Sequence, residues 1–295
     1  MNRVSLWLKS FTLTAVLLVA GSPIPSKASA TVESPAILAQ TNAVDIYVPP
    51  PEQRNNGICP DVLEPVINNI IDSPTFANGR WGVLVEPLNS SDVIYSRNSN
   101  QLLIPASNVK LLTTAAALQT FDPQDLNNSA SLREIIRVTN LNSDNGYADN
   151  LLQRLGGPQA VRNLLTPLGI DPNGYRQVDG SGLSRANAAT ATTFVSVLKA
   201  MESANGGDLF YSSLPTGGVS GTLRNRFRNT SAQGRVHAKT GTLNGVRALS
   251  GYLDNPQYGQ IVFSILVNQS NLSGETMIGA IDQVVLQLAR LTPCE

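Results

Sequence analysis

The chain has 295 residues, 42% of them hydrophobic, and its 21 basic and 21 acidic side chains cancel to a formal charge of zero. That length bounds it to one large domain or two small ones, with enough apolar residues for a sizeable core. No basic stripe marks a nucleic-acid partner, and no acidic tail marks a charged interaction arm.

The first 30 residues read as a signal peptide outside the fold. Arg3 and Lys9 form a basic start, Phe11–Gly21 ("FTLTAVLLVAG") is an apolar run too short to span a bilayer, and Ala28–Ala30 ("ASA") supplies small residues for cleavage. The expectation is export to the periplasm or cell-wall space with no stable transmembrane anchor; an uncleaved N-terminal anchor is the alternative. Residues 31–56, with "YVPPPEQRNNG", lack an apolar period and read as a flexible Pro-rich linker. A single domain is expected over 57–295. Its two cysteines, Cys59 and Cys294, stand at opposite ends, and export permits a disulfide between them. Two free thiols are the alternative.

From Pro60, "PDVLEPVINNIIDS" carries a helical stripe of Val62, Leu63, Val66, Ile67, Ile70 and Ile71. "RWGVLVEPL" and "DVIYS" read as two strands with a turn at Asn89–Ser91. A helix follows Ser107, and short helices are expected at 131–139, 146–155, 158–167 and 187–204. "NGVRALSGYLDN" and "GQIVFSILVN" read as alternating strands, and "GETMIGAIDQVVLQLARL" as a closing amphipathic helix. A sheet drawn from both ends of the chain around a helical block is an α+β arrangement. It brings the terminal helices, and the cysteines with them, side by side.

The single histidine, His237, sits inside a predicted strand. A multi-histidine metal site is excluded, zinc is not expected, and no cofactor is implied. No G-x-x-x-x-G-K-[ST] phosphate loop is present. A hydrolase built here needs a serine and a base other than histidine, and "LIPASNVKLLTTAAAL" offers both. Ser107 follows Pro105 at a helix start, and Lys110, three residues on, shares its helical face. A lysine in so apolar a helix is desolvated, which lowers its pKa and suits it to act as base. Free backbone N–H groups at the helix start favour a developing anion. The structural alternative is an N-cap serine beside a lysine that reaches solvent.

The S-x-x-K spacing recurs at Ser196–Lys199, mid-helix, where it reads as a solvated face. Ser143-Asp144-Asn145 falls between two predicted helices, and S-x-N also occurs at Ser96–Asn98 and Ser203–Asn205. Lys239-Thr240-Gly241-Thr242 ends an exposed edge strand. There Gly241 lets a substrate backbone approach closely, Lys239 supplies a cation, and the threonine hydroxyls can bind a carboxylate. An ordinary strand and turn is the alternative.

In the order S-x-x-K, S-D-N, K-T-G, the three motifs are the set of penicillin-binding proteins and serine β-lactamases. With "IPASNVKLLTTAAAL", "SDNGYADNLLQRLG", "DGSGLSRANAAT", "LPTGGVSGTLRNRF" and "VHAKTGTLNGVRALSGYL", the chain from about Pro60 to Leu291 resembles the D-alanyl-D-alanine carboxypeptidase/endopeptidase family, the class C low-molecular-mass penicillin-binding proteins. The resemblance implies a transpeptidase/β-lactamase-like fold, with an antiparallel five-stranded sheet flanked by helices and the serine between sheet and helical subdomain. It implies that Ser107 attacks the carbonyl between two D-alanines while Lys110 takes its proton. Ser143 and Lys239 help pass a proton to the leaving amine, and Asn145 orients Lys110 and the substrate amide. Backbone N–H groups of Ser107 and Thr242 hold the oxyanion, and Thr240 and Thr242 bind the terminal carboxylate. The implied partners are peptidoglycan stem peptides ending in D-Ala-D-Ala, with β-lactams as covalent inhibitors.

A serine β-lactamase and a non-catalytic wall-binding or penicillin-sensing domain are the alternatives. Class A β-lactamases release their acyl-enzyme with a glutamate between S-D-N and K-T-G. Here that interval holds only Glu202, on a predicted helix. "DGSGLSR", residues 179–185, is expected to shape a loop near the site. Family members usually carry long extra domains between S-x-x-K and S-D-N. Here the short "QTFDPQDLNNSASLREII" joins the two motifs.

Overall fold

The computed structural model describes residues 57–120 and 130–294, which belong to one unit, Val44–Glu295. The expected signal peptide over 1–30, the linker over 31–56 and part of the short joining segment, 121–129, lie outside the described residues.

Helix α1 (Pro60–Ile71) starts where proline's fixed φ and missing N–H suit the first helical position. It buries Leu63, Ile67 and Ile71 at four-residue spacing, while Val62 is exposed. Strands β1 (Arg80–Pro87) and β2 (Tyr95–Arg97) follow as an antiparallel pair. A 3-10 turn, Ala106–Asn108, leads into α2 (Val109–Leu118), all of whose residues are buried. The helical block continues with α3 (Ala130–Leu141), α4 (Asn145–Leu155) and α5 (Pro158–Leu165). A small ribbon, β3 (Tyr175–Arg176) with β4 (Ala188–Ala189), precedes α6 (Ala191–Ser203) and α7 (Gly207–Ser212). Three long strands, β5 (Val236–Leu243), β6 (Val246–Asn255) and β7 (Gly259–Asn268), and helix α8 (Gly274–Leu288) complete the elements.

Among the helix limits that differ from the sequence reading, two have a clear local reason. The helix expected from residue 187 starts at Ala191, because Thr190 is extended and its hydroxyl accepts the Thr193 N–H at 3.0 Å as an N-cap. The helix expected to reach 167 stops at Leu165. Pro167 has no N–H to continue it, and residues 166–168 tighten into a 3-10 turn.

The sheet runs β2-β1-β7-β6-β5 with every neighbouring pair antiparallel. The first long strand thus pairs with the last: Trp81 stands opposite Val267 and Val83 opposite Ile265. Helix α1 packs on α8, and Ile58 bridges to Leu291. Cys59 and Cys294, with Cα atoms 4.8 Å apart, are joined as a disulfide.

Both faces of the sheet are covered. Val262 and Leu266 of β7 pack with Leu111, Leu112 and Phe194 of the helical block. Phe263, Ile265 and Val267 pack with Leu63 and Ile67 of α1 and Met277 and Ile281 of α8. This corrects the expected apolar–polar alternation of β7, whose residues 261–268 are all buried. A sheet with helices on both faces needs apolar side chains on both. Each fully buried Leu, Ile or Phe contributes about 1.5–3 kcal/mol over exposure, so the two cores together fix the register of β7. The architecture is α+β: an antiparallel sheet between the terminal helices and a helical subdomain. Among the described residues no helix is long and apolar enough to cross a membrane.

Candidate active site

The turn carrying Ser107 lies between the sheet and the loop at 179–185, and two glycines let it come so close. A Cβ on Gly182 would lie 2.1 Å from the Ala106 carbonyl oxygen, and one on Gly241 would lie 2.6 Å from that of Pro105. On this side the backbone that Gly241 lets approach is the protein's own. Ala106 takes φ +49°, a left-handed conformation costly for a residue with a Cβ and held here by its surroundings. Asn108 pins the turn to the sheet. Its Nδ2 donates to Ser250 Oγ at 2.6 Å, and Ser250 Oγ meets Ser264 Oγ of β7 at 2.8 Å. Ser107 does not cap α2. Its hydroxyl donates to the Ser181 carbonyl at 3.3 Å and accepts from Lys110 Nζ at 3.0 Å.

Lys110 is fully buried. Its amine also meets Asn145 Oδ1 at 2.8 Å and the Ser181 carbonyl at 2.5 Å. All three partners are neutral. Loss of water pushes the amine down to about 8, against an opposing pull from the carboxylates of Asp149, Asp179 and Asp144. A substantial fraction of the amine is then neutral near pH 8, with a lone pair 3.0 Å from the Ser107 hydroxyl.

The three residues of S-D-N do different work. Asp144 is the N-cap of α4, its Oδ1 accepting the Tyr147 N–H at 2.8 Å. That cap makes Asn145 the first residue of the helix and brings its side chain to Lys110. Ser143, at φ +58°, turns the other way, and its Oγ accepts from Lys239 Nζ at 2.8 Å. Lys239, on β5, is also fully buried and donates to the Thr240 carbonyl at 3.0 Å. Burial, and secondarily the charge of Lys110, push its amine well below the usual lysine range.

Strand β5 is an edge of the sheet. Its outer side is taken at first by residues 215–217: Gly217 N donates to Val236 O at 2.8 Å and Ala238 N to Pro215 O at 3.0 Å. Among the described residues these backbone bonds stop at Ala238, so the edge opens where Lys239-Thr240-Gly241 begins. Beside it lies a pocket of about 280 Å³ lined by Ser107, Ser143, Thr222, Arg226, Thr240, Gly241, Thr242, Arg247, Ala248, Ile278 and Ile281. Thr240 Oγ1 donates to Thr222 Oγ1 at 2.8 Å. The predicted Ser107, Ser143, Thr240, Gly241 and Thr242 share this pocket, and Lys110, Asn145 and Lys239 stand behind its two serines.

Sequence reading missed Asp149, Ser181, Thr222, Arg226 and Arg247. Asp149 lies one helical turn beyond Asn145 on α4 and accepts the N–H groups of Gly180 and Ser181 at 2.9 and 2.8 Å. Asp179 braces the same loop from within, accepting from Gly182 N at 2.7 Å and Ser184 N at 2.6 Å. The segment "DGSGLSR" thus aims the Ser181 carbonyl at Lys110. The four-residue step from Asn145 to an acid was the available signal for Asp149.

This geometry has relatives. The profile of the D-Ala-D-Ala carboxypeptidase 3 (S13) family matches residues 63–126 and 126–288, so the break falls between Ser107 and Ser143. The D-alanyl-D-alanine carboxypeptidase of an Actinomadura species is 40% identical over 177 residues, covering 55% of this chain and 32% of that protein. Penicillin-sensitive carboxypeptidase A of Dictyostelium discoideum is 37% identical over 182 residues, covering 55% of this chain and 35% of that protein. The matched part is thus about a third of each relative's length. Among solved structures, TLA-1 extended spectrum β-lactamase superimposes with a TM-score of 0.64 at 19% identity, covering 79% of this chain and 100% of that one. At that identity the likeness shows the fold alone, which is β-lactamase/transpeptidase-like. Motifs, fold and the match across most of the described residues agree: the chain belongs to the D-Ala-D-Ala carboxypeptidase 3 (S13) family.

Proposed function

We propose that the chain is a serine D-alanyl-D-alanine carboxypeptidase that works on peptidoglycan stem peptides through an acyl-enzyme on Ser107, with endopeptidase action on the same acyl group as the alternative. The observation that carries this reading is the Lys110 amine, buried among neutral partners and 3.0 Å from the Ser107 hydroxyl. Neutral Lys110 takes the hydroxyl proton as Ser107 Oγ bonds to the carbonyl carbon of the penultimate D-Ala. The oxyanion is held by the N–H groups of Ser107 and Thr242, each such donor being worth roughly 3 kcal/mol to the transition state. The proton that Lys110 took passes through the Ser143 hydroxyl, held by Lys239, to the departing amine, which restores both Lys110 and Ser143. The C–N bond breaks, the terminal D-Ala leaves, and water later cleaves the ester. The substrate backbone extends along the open edge of β5, with its carboxylate at Thr240 and Thr242.

β-Lactams are read as covalent inhibitors rather than good substrates. Glu202 lines a separate pocket with Arg133 and Asp208, away from Ser107. The described cleft therefore lacks the glutamate with which class A β-lactamases hydrolyse their acyl-enzyme. The expected setting is the periplasm or cell-wall space, reached by a signal peptide over 1–30. The test is incubation of the 57–295 domain with purified muropeptides and mass identification of the products. Loss of one D-Ala from pentapeptides supports the reading; unchanged muropeptides together with no penicillin adduct on Ser107 would leave the wall-binding alternative.

A further inference from the structure

The pocket beside Ser107 has two guanidinium groups in different states. Across the β5–β6 pair, Thr240 stands opposite Leu249 and Thr242 opposite Arg247. Paired residues share a face, and Leu249 belongs to the core under α8. Thr240, Thr242 and Arg247 therefore line the α8 side of the pocket, while Lys239 reaches Ser143 on the other side.

Arg226 is already neutralised. Its Nε lies 3.0 and 3.2 Å from the two carboxylate oxygens of Asp282 on α8, and its Nη2 bonds the same group. Arg247 has no carboxylate partner among the described residues. Its Nη1 donates to the Leu243 and Val246 carbonyls, each at 2.7 Å, and its Nε is buried without a partner. Room for the guanidinium is provided by Gly274: a Cβ there would lie 1.5 Å from Nη2. A guanidinium keeps its charge at neutral pH even when partly desolvated. A fixed, uncompensated cation with a spare donor, next to three threonine hydroxyls, is built to receive a carboxylate.

We infer that Arg247 carries the charge of the carboxylate subsite: it receives the free carboxylate of the leaving residue beside Thr240 and Thr242, and makes cleavage depend on that carboxylate. This rests on the D-Ala-D-Ala reading. It also bounds the endopeptidase action of the site. A cross-link is cut only if the leaving residue presents a free carboxylate next to the scissile nitrogen. Amidated leaving residues are discriminated against.

The test uses N-acetyl-D-Ala-D-Ala and its C-terminal amide, with equilibrium binding measured on the Ser107→Ala protein, which cannot acylate. The expected result is preference for the acid, cut tenfold or more by Arg247→Ala and partly kept by Arg247→Lys. Arg247 also clamps the β5–β6 turn, so the acid-to-amide ratio is the readout, and a melting curve of Arg247→Ala reports any loosening. In the active chain the same substitution raises KM for the acid more than it lowers kcat. An acid preference unchanged by Arg247→Ala, or no binding of the acid at millimolar concentration, overturns the inference. Acid preference that depends on Arg247 in a protein that releases no D-Ala would instead sink the carboxypeptidase reading and leave the subsite standing.

Discussion

Two segments of this chain carry the same serine–lysine spacing, and the folded environment makes them different chemically. In α6, Ser196 and Lys199 lie mid-helix, where the backbone N–H groups are already bonded. Lys199 is not the solvated face expected of it. Its amine forms a 2.7 Å ion pair with Glu86 of β1 and donates to the Ser90 carbonyl, tying α6 to the sheet. Lys110 has lost water as well, but its hydrogen-bond partners are a hydroxyl, an amide oxygen and a backbone carbonyl. Spacing decides whether an amine can reach a serine; the charge of its other neighbours decides whether that amine can give up its proton.

The largest effect separates the two serines. Ser107→Ala is expected to abolish covalent labelling by fluorescent penicillin, while Ser196→Ala labels as the parent does. The reverse pattern on a denaturing gel, with both variants folded by circular dichroism, would move the nucleophile to α6. Next in size is the base. Lys110→Met should slow acylation by about 10²–10⁴-fold, the range for loss of a positioned general base. Stopped-flow acylation rates decide it, and a loss below tenfold would assign the proton to another group.

The side chains gathered around Ser107 were legible because each motif is a short string that names them directly: Ser107, Lys110, Ser143, Asn145 and Lys239. The sheet assembled from both ends was legible from the apolar runs flanking a helical middle. What escaped takes its part only through the fold. The Ser181 carbonyl is backbone, and any residue could supply it. Asp149 looks like a polar position on an amphipathic helix until its Oδ1 is seen on the loop. Arg247 joins Thr242 only through strand register, which a single chain does not spell out. Gly241 was read as a close approach of substrate; the close approach of the Pro105 carbonyl to it was not read. The ribbon of β3 and β4 is too short to show any period.

A smaller effect tests how the fold sets the basicity of Lys110. Acylation should rise with pH through about 8 as the amine loses its proton. The charges acting on that amine are those of Asp149, Asp179 and Asp144, which favour its charged form against the burial that lowers it. In Asp149→Asn the remaining Oδ1 can still accept the Gly180 and Ser181 N–H groups, so the loop keeps its place while one favourable charge is lost. The midpoint should then move to lower pH, with a plateau rate within tenfold of the parent. Asp149→Ala removes the acceptor too, and should slow acylation at every pH. A midpoint that stays or moves upward in Asp149→Asn would show that this carboxylate does not reach the base.

The smallest expected effect lies on the other side of the comparison. Lys199→Met removes the cation from Glu86 and the donor from the Ser90 carbonyl. Both side chains of the pair are partly exposed, at 23% and 15%, so water can take over some of what is lost. Ion pairs of this sort contribute about 1 kcal/mol or less in double-mutant cycles, and removing one partner of a more buried pair costs more because the other charge is stranded. The expected destabilisation is therefore about 1 kcal/mol. Lys199 touches nothing in the pocket, so acylation by penicillin should stay within twofold of the parent. Urea unfolding, read beside the acylation rate, checks both halves. A tenfold fall in acylation with stability unchanged would mean that α6 and the sheet, joined through Lys199, set the position of Ser107 across the core, and the two lysines would no longer be independent.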